Sequence, residues 1–170
     1  MIHILASELF GDEWTGNDFL VRGIACDSRR IKDGYIFVCL RGTRDNGYRY
    51  INQALSNGAK VIIADSYVNV SVPVILCKNP RKTMAILSKK IYNTFFDDLK
   101  IIGVTGTNGK TTVTHIVRDL LMFASQNTAI IGTNGCYYNK DKKSFDFTTS
   151  TTPEACELWS ILKNMYDLGA

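Results

Sequence analysis

The sequence predicts an α/β fold in two parts, and three observations lead to this prediction. Short apolar segments rich in β-branched residues alternate along the 170-residue chain with segments whose apolar residues recur at helical spacing. One apolar segment, 100–104, runs into a glycine-rich turn and then into a helical pattern. The run of elements breaks near residue 98, so we expect a small amino-terminal α/β domain over 1–98 and the start of a second domain over 99–170.

The first part is predicted to contain several buried strands and two helices. Pro80 suits the first turn of the second helix, in which Met84, Leu87, Ile91 and Phe95 share one face. The first helix ends before Gly58. The predicted strands are 21–26, 35–40, 60–64 and 73–77, and the predicted helices are 49–57 and 80–96.

The second part is predicted to begin as a strand–loop–helix–strand unit. The first strand, 100–104, is expected to be buried, and a hairpin is expected around Asn139, with Pro153 in the first turn of a last helix. The helix after the loop carries apolar residues at 113, 116, 117, 120, 121 and 124. The later elements are a strand at 128–131, the hairpin at 132–147 and a helix that ends near 168.

The turn between the first strand and the helix has the composition of a phosphate-binding loop. Its glycines allow backbone N–H groups to surround phosphates, Lys110 brings positive charge, and the Thr111 hydroxyl is placed for magnesium. The strict pattern requires glycine where this chain has Val104. The simpler alternative is an ordinary turn with a solvated lysine. The candidate nucleotide-binding residues are Gly106, Thr107, Asn108, Gly109, Lys110, Thr111 and Thr112.

A second cluster, Thr151-Thr152-Pro153-Glu154, precedes the last predicted helix. By local chemistry it is a helix cap, with Thr151 and Glu154 forming a capping box. However, it follows a second strand and should therefore lie at the same sheet edge as the phosphate loop. A carboxylate there could bind magnesium beside Thr111.

Composition excludes several classes of protein. The net charge of +4 is mild, and the densest basic run, Lys140 to Lys143, fits a solvated hairpin better than a nucleic-acid surface. The five cysteines lack a Cys-x-x-Cys pair, and His3 and His115 have no neighbours at metal-binding spacing. No segment has the length and apolarity of a membrane span or a secretion signal. We therefore expect a cytoplasmic protein with reduced thiols and no nucleic-acid partner.

These segments together resemble the Mur ligases, and among them the enzymes that add a diamino acid as the third peptide residue. The phosphate loop is common to all Mur ligases and to folylpolyglutamate synthetases, whereas the first and last of the matching segments are typical of the diamino-acid-adding branch. The matching segments, in family order, are 27–29, 37–42, 45–59, 103–112, 131–133 and 151–154.

The resemblance implies a reaction and a role for each candidate residue. ATP would phosphorylate the carboxylate of a UDP-MurNAc-dipeptide, and the amine of a diamino acid would then attack the acyl phosphate. Lys110 would be the catalytic cation within an ATP-binding loop at 106–112. Ser28 would contact uracil, in a UDP-substrate-binding domain over 1–98. Thr151 and Thr152 would hold the muramoyl-dipeptide, and Thr111 and Glu154 would bind Mg²⁺.

Two features depart from the family pattern. Ser150 stands where the family often has asparagine, and the chain ends within the central ATP-binding domain. We therefore expect that these 170 residues alone do not form the tripeptide product in a turnover assay. Two alternatives remain open, namely a non-catalytic module that binds a UDP-sugar or nucleotide, and another Mur-type ligase such as a glutamate-adding enzyme.

Overall fold

The computed structural model of the protein describes residues 4–42, 46–92, 99–145 and 152–170. The chain forms two compact units, Met1–Tyr92 and Asn93–Ala170. Both units combine helices with strands, and the first contains a parallel sheet. The predicted α/β class is therefore confirmed.

The first unit is built on a parallel sheet of four strands in the order β3-β4-β5-β6. A two-stranded antiparallel pair, β1 and β2, accompanies it. The strands are β1 (Ile4–Leu5), β2 (Leu20–Val21), β3 (Gly23–Ala25), β4 (Tyr35–Val38), β5 (Ala59–Ala64) and β6 (Val74–Leu76). The helices are α1 (Ala6–Phe10), α2 (Ile51–Ser56) and α3 (Pro80–Tyr92).

The core of this unit lies on the two central strands, as their composition predicts. Phe37 of β4 is opposite Ile62 of β5, and both side chains are fully buried. Parallel strands that are buried on both faces have continuous apolar sequences. For this reason the segments 35–40 and 60–64 could be predicted as buried strands. The expected burial of 73–77 is wrong, because β6 lies at the sheet edge and leaves Leu76 56% exposed.

Two details of the first unit differ from the predictions. The predicted strand 21–26 is divided at Arg22, whose N–H donates to the carbonyl of Gly34, so that β2 and β3 join different sheets. β1 and α1 are not predicted, because each is too short to present a repeating pattern.

Helix α3 begins at Pro80, as predicted, and buries Met84, Leu87 and Ile91. Asn79 caps the helix, since its Oδ1 accepts from the Lys82 N–H at 3.0 Å. The predicted continuation of the helix to 96 falls outside the described residues.

The second unit contains an antiparallel three-stranded sheet in the order β7-β8-β9. The hairpin predicted around Asn139 is confirmed as the turn between β8 and β9, although its predicted end at 147 lies outside the described residues. The elements are α4 (Lys110–Phe123), β7 (Ala129–Gly132), β8 (Gly135–Tyr138), β9 (Asp141–Lys143) and α5 (Ala155–Asp167).

The buried strand predicted at 100–104 is wrong. The structure gives this segment no strand conformation, and Ile101 and Ile102 are 55% and 60% exposed. A strand exists only when a neighbour accepts its backbone hydrogen bonds, and no strand in the described part of the chain pairs with this segment.

Helix α4 has the predicted apolar face but does not bury it. Leu120 is 64% exposed, Ile116 is 53% exposed, and none of the helix's side chains is buried by the described residues. Periodicity therefore identified the helix correctly, but it carried no information about what covers the apolar face.

None of the five cysteines, all of which lie within the described residues, forms a disulfide, and Cys39, Cys136 and Cys156 are buried. Burial raises the pKa of the Cys39 thiol to about 12, so this group stays protonated at neutral pH. None of the described helices has the length and apolarity needed to cross a lipid bilayer.

Candidate functional site

The candidate phosphate loop ends in a left-handed residue at the start of α4. Gly109 precedes the helix with φ of 80°, and Gly106 has φ of 152°. A β-carbon at Gly109 would meet no atom within 4 Å, so the backbone angle, and not crowding, requires glycine there. The exposed residues Thr107 and Asn108 lie between the two glycines.

Lys110 is folded back over the loop that precedes it. Its Nζ donates to the carbonyl oxygens of Gly106 and Thr107 at 2.7 and 3.1 Å. The ammonium group is thus held above the loop, at the end of α4 that carries the positive pole of the helix dipole. The next two residues, Thr111 and Thr112, complete the first helical turn.

A cavity of about 120 Å³ adjoins this turn within the second unit. Lys110 and Thr111 line one side, the residues that follow β7 line another, and Thr152 completes it. The structure therefore places Lys110 and Thr111 of the predicted phosphate loop beside Thr152 of the second predicted cluster. A cavity that combines a cation, hydroxyls and a helix N-terminus suits an anionic ligand.

Several polar and aromatic residues that line the cavity were not predicted as site residues, among them Thr114, His115, Thr133, Asn134 and Tyr137. Helical spacing could have indicated Thr114 and His115, which lie three and four positions after Thr111. The ring of His115 meets the edge of Tyr137 at a centroid distance of 5.4 Å. Nothing in the sequence pattern indicated Tyr137.

The capping box predicted between Thr151 and Glu154 is wrong. Glu154 is itself the N-cap of α5, and its partner in a reciprocal capping box is Glu157, whose Oε2 accepts from the Glu154 N–H at 3.0 Å. Helix α5 thus begins after Pro153 and not around it. Thr151 lies outside the described residues.

Glu154 therefore caps helix α5, and binding of a metal ion by its carboxylate would be an additional role. No group of three His, Cys, Asp or Glu side chains suited to a metal ion occurs in the described ranges. Magnesium does not require such a group, because it is commonly held by one or two carboxylates, phosphate oxygens and water. A hydroxyl such as that of Thr111 and a carboxylate such as that of Glu154 are ligands of this kind, but Glu154 is not among the residues that line the cavity beside Thr111.

Ser28, in the first unit, begins the 3₁₀ turn Ser28–Arg30 shortly after β3 and is 4% exposed. Its hydroxyl donates to Oε1 of Gln53 at 2.6 Å, and its carbonyl accepts from Nδ2 of Asn57 at 2.8 Å. Asp27 caps the turn, and its hydrogen bond with Arg29 lowers the pKa of the Asp27 carboxyl. The Ser28 hydroxyl proton is thus engaged within the chain, while its oxygen can still accept a hydrogen bond.

Two family models match successive parts of the chain. The model described as "Mur ligase family, catalytic domain" matches residues 20–99, and the model described as "Mur ligase middle domain" matches residues 104–170.

Curated relatives match over most of the chain. The UDP-N-acetylmuramoyl-L-alanyl-D-glutamate–2,6-diaminopimelate ligase of Aquifex aeolicus is 36% identical over 150 residues, which are 88% of this chain and 30% of that protein. The second such ligase of Clostridium acetobutylicum is 39% identical over 154 residues, or 88% of this chain and 32% of that protein. The chain thus spans about a third of the length of these relatives.

Solved structures agree with these matches. One of a UDP-N-acetylmuramoyl-L-alanyl-D-glutamate–2,6-diaminopimelate ligase aligns with 99% of this chain and 34% of its own, with a TM-score of 0.78 and 26% identity. A MurF ligase from Thermotoga maritima, solved in complex with ADP, aligns with 61% of this chain and 24% of its own, with a TM-score of 0.50 and 31% identity. The sequence and structural matches agree, and the chain belongs to the Mur ligase family.

Proposed function

We propose that this chain is part of an ATP-dependent ligase that joins a diamino acid to UDP-MurNAc-L-Ala-D-Glu in peptidoglycan synthesis. The observation that carries the proposal is the cavity that Lys110, Thr111 and Thr152 form beside the phosphate loop. The relatives described above, whose names specify 2,6-diaminopimelate, support the choice of reaction. In this proposal residues 1–98 bind the UDP-linked substrate and residues 99–170 contribute to ATP binding.

The loop is suited to ATP because it concentrates positive charge without a neutralising carboxylate among its own residues. Gly106, Thr107, Asn108, Gly109 and Thr112 would supply backbone N–H groups to the phosphates. Lys110 would exchange its two carbonyl partners for phosphate oxygens, since a hydrogen bond between two charged groups is stronger than one to a neutral carbonyl. The MurF ligase from Thermotoga maritima was solved in complex with ADP, which supports a nucleotide as a ligand of such a chain.

Magnesium would supply charge neutralisation of the phosphates when bound. Thr111 and Glu154 are the proposed protein ligands. Water molecules and phosphate oxygens would occupy the other coordination positions, as is usual for magnesium. The capping role of Glu154 fixes the position of its backbone at the start of α5.

The carboxylate to be activated would lie in the cavity, close to Lys110. Thr152 and, as proposed from the sequence, Thr151 would hold the muramoyl-dipeptide, with Asn134 as a further polar contact from the turn after β7. A cation beside the reacting carboxylate reduces the repulsion between it and the incoming phosphoryl group. Such a protein would act in the cytoplasm, where its thiols remain reduced.

The function is tested by isothermal titration of the 170-residue chain with three ligands. We expect saturable binding of UDP-MurNAc-L-Ala-D-Glu and of ATP with Mg²⁺, and weaker binding of UDP-MurNAc-L-Ala. Equal affinity for the two UDP-linked compounds would favour a glutamate-adding ligase. Binding of the UDP-linked compounds without any binding of ATP would favour a non-catalytic module.

Substitution of Ser28 tests the proposed contact with uracil. We expect Ser28→Ala to weaken binding of UDP-MurNAc-L-Ala-D-Glu by about fivefold, the cost of one hydrogen bond of about 1 kcal/mol, while ATP binding is unchanged. The measurement is the same titration.

Gln53→Ala is the matched control, because it removes the internal hydrogen bond of Ser28 but keeps the hydroxyl. We expect it to retain most of the affinity for the UDP-linked substrate. If both variants lose the same affinity, Ser28 acts only by supporting its turn, and the uracil contact is wrong.

A further inference from the structure

Helix α4 carries two residues of the candidate site, Lys110 and Thr111, but packing by the described residues buries none of its side chains. The same cavity is lined on its other side by the hairpin turn between β7 and β8. A site that is built from two elements keeps its geometry only when a contact fixes one element against the other. The contact that joins α4 to the hairpin is therefore part of the site.

His115 and Tyr137 form such a contact. His115 follows Thr111 by four positions, so the two side chains share one face of α4. The ring of His115 lies 5.4 Å from that of Tyr137 in β8, centre to centre, and the ring planes are inclined at 74°. Aromatic rings attract each other in this nearly perpendicular arrangement. Both side chains are half-buried and line the cavity, so the contact joins helix to hairpin at the cavity wall.

Tyr137 is itself held in place by the rest of the hairpin. It lies opposite Ile130 of β7 and Lys142 of β9 in the antiparallel sheet. Its hydroxyl donates to the carbonyl of Asn134 at 3.4 Å, and Nζ of Lys142 lies 6.0 Å from the centre of its ring. The Tyr137 ring is thus tied both to the neighbouring strands and to the turn that lines the cavity.

We propose that His115 and Tyr137 are positioning residues of the nucleotide site. Their contact fixes the start of α4, with Lys110 and Thr111, relative to the hairpin turn, and neither ring has to touch the nucleotide. Without the contact the helix start would occupy a wider range of positions, and the apparent affinity would fall with the fraction of chains that are ready to bind. This inference rests on the proposed function, because it concerns the ATP site.

The first test is calorimetric titration of the Tyr137→Leu variant with ATP and Mg²⁺. We expect its affinity to be about three- to tenfold lower than that of the parent chain, as expected for the loss of one aromatic contact.

Tyr138→Leu is the matched control. Tyr138 is the next residue of β8, and Nζ of Lys143 lies 5.8 Å from its ring, much as Lys142 lies near Tyr137. Successive side chains of a strand point to opposite faces, and Tyr138 packs against the core cluster on the face away from Tyr137. Tyr138→Leu therefore alters the core of the second unit but leaves the contact with His115, and it should leave the ATP affinity unchanged.

Variants of His115 separate positioning from direct binding. His115→Phe keeps a ring but has no N–H group, and it should retain the parent affinity, whereas His115→Ala should lose as much as Tyr137→Leu. The double variant, His115→Ala with Tyr137→Leu, should lose no more than either single variant, because both remove the same contact. Equal losses in His115→Phe and His115→Ala, or fully additive losses in the double variant, would show that the positioning role is wrong.

Hydrogen exchange of the ligand-free chain tests the contact without a nucleotide. We expect the backbone amides of residues 114–118 to exchange several times faster in Tyr137→Leu and in His115→Ala than in the parent, and at the parent rate in His115→Phe. A parent chain that does not bind ATP would contradict the proposed function, and the exchange rates would then decide on the contact alone. The inference is overturned if Tyr137→Leu leaves these rates unchanged, or if it leaves the affinity of an ATP-binding parent unchanged.

Discussion

Lys110→Ala is expected to weaken ATP binding by the chain severely. The variant removes the only side-chain cation of the loop and with it a charge-assisted hydrogen bond worth about 1.5–3 kcal/mol, which is a tenfold to hundredfold loss of affinity. Binding of UDP-MurNAc-L-Ala-D-Glu should remain, because Ser28 belongs to the other compact unit. Calorimetric titration with ATP and Mg²⁺ measures the first effect, and titration with the UDP-linked substrate measures the second.

Lys140→Ala is the control for net charge, since Lys140 is exposed in the turn between β8 and β9 and does not line the cavity. Because Lys110 also bonds two loop carbonyls, circular dichroism should establish that α4 is retained in the variant. Equal ATP affinity in the Lys110→Ala variant and the parent would show that the loop does not bind ATP.

Phe37→Ala is expected to have the largest effect on stability. Phe37 is fully buried in β4, one of the two central strands, so the truncation loses its transfer free energy and leaves a cavity, at a cost of about 3–5 kcal/mol. That is a large part of the roughly 5–15 kcal/mol that stabilises a typical domain. Urea denaturation followed by Trp14 fluorescence in a Trp159→Phe background reports on the first unit alone, because the chain has 2 tryptophans.

Leu76→Ala is the matched comparison, because Leu76 lies on the edge strand β6 and is 56% exposed. We expect it to change the free energy of unfolding by less than about 0.5 kcal/mol, as surface substitutions usually do. If both variants lowered stability by the same amount, the assignment of the core to β4 and β5 would be wrong.

The candidate site illustrates which predictions are within reach of a sequence. Lys110 and Thr111 were predicted from loop composition, and Thr152 from its position after a strand, and all three line one cavity. Asn134 and Tyr137 were missed, because a residue that joins a site through the turn or face of a hairpin has no characteristic spacing.

The capping of α5 illustrates a different limit. Thr151 and Glu154 have the spacing of a capping box, but so do Glu154 and Glu157, and the second pair forms it. Both arrangements satisfy the same local rule, and the choice between them decides whether the Glu154 backbone lies inside or outside the helix.

The sequence by itself determined the α/β class, the buried strands β4 and β5, helix α3 and the glycine-rich loop before α4. These features depend on local composition and on apolar periodicity, and both can be read along the chain. Only the tertiary structure decided that 100–104 forms no strand here, that the apolar face of α4 is exposed, and that His115 of α4 meets Tyr137 of β8. Pairing, burial and convergence join residues that are distant in the chain, and no local pattern specifies such partners.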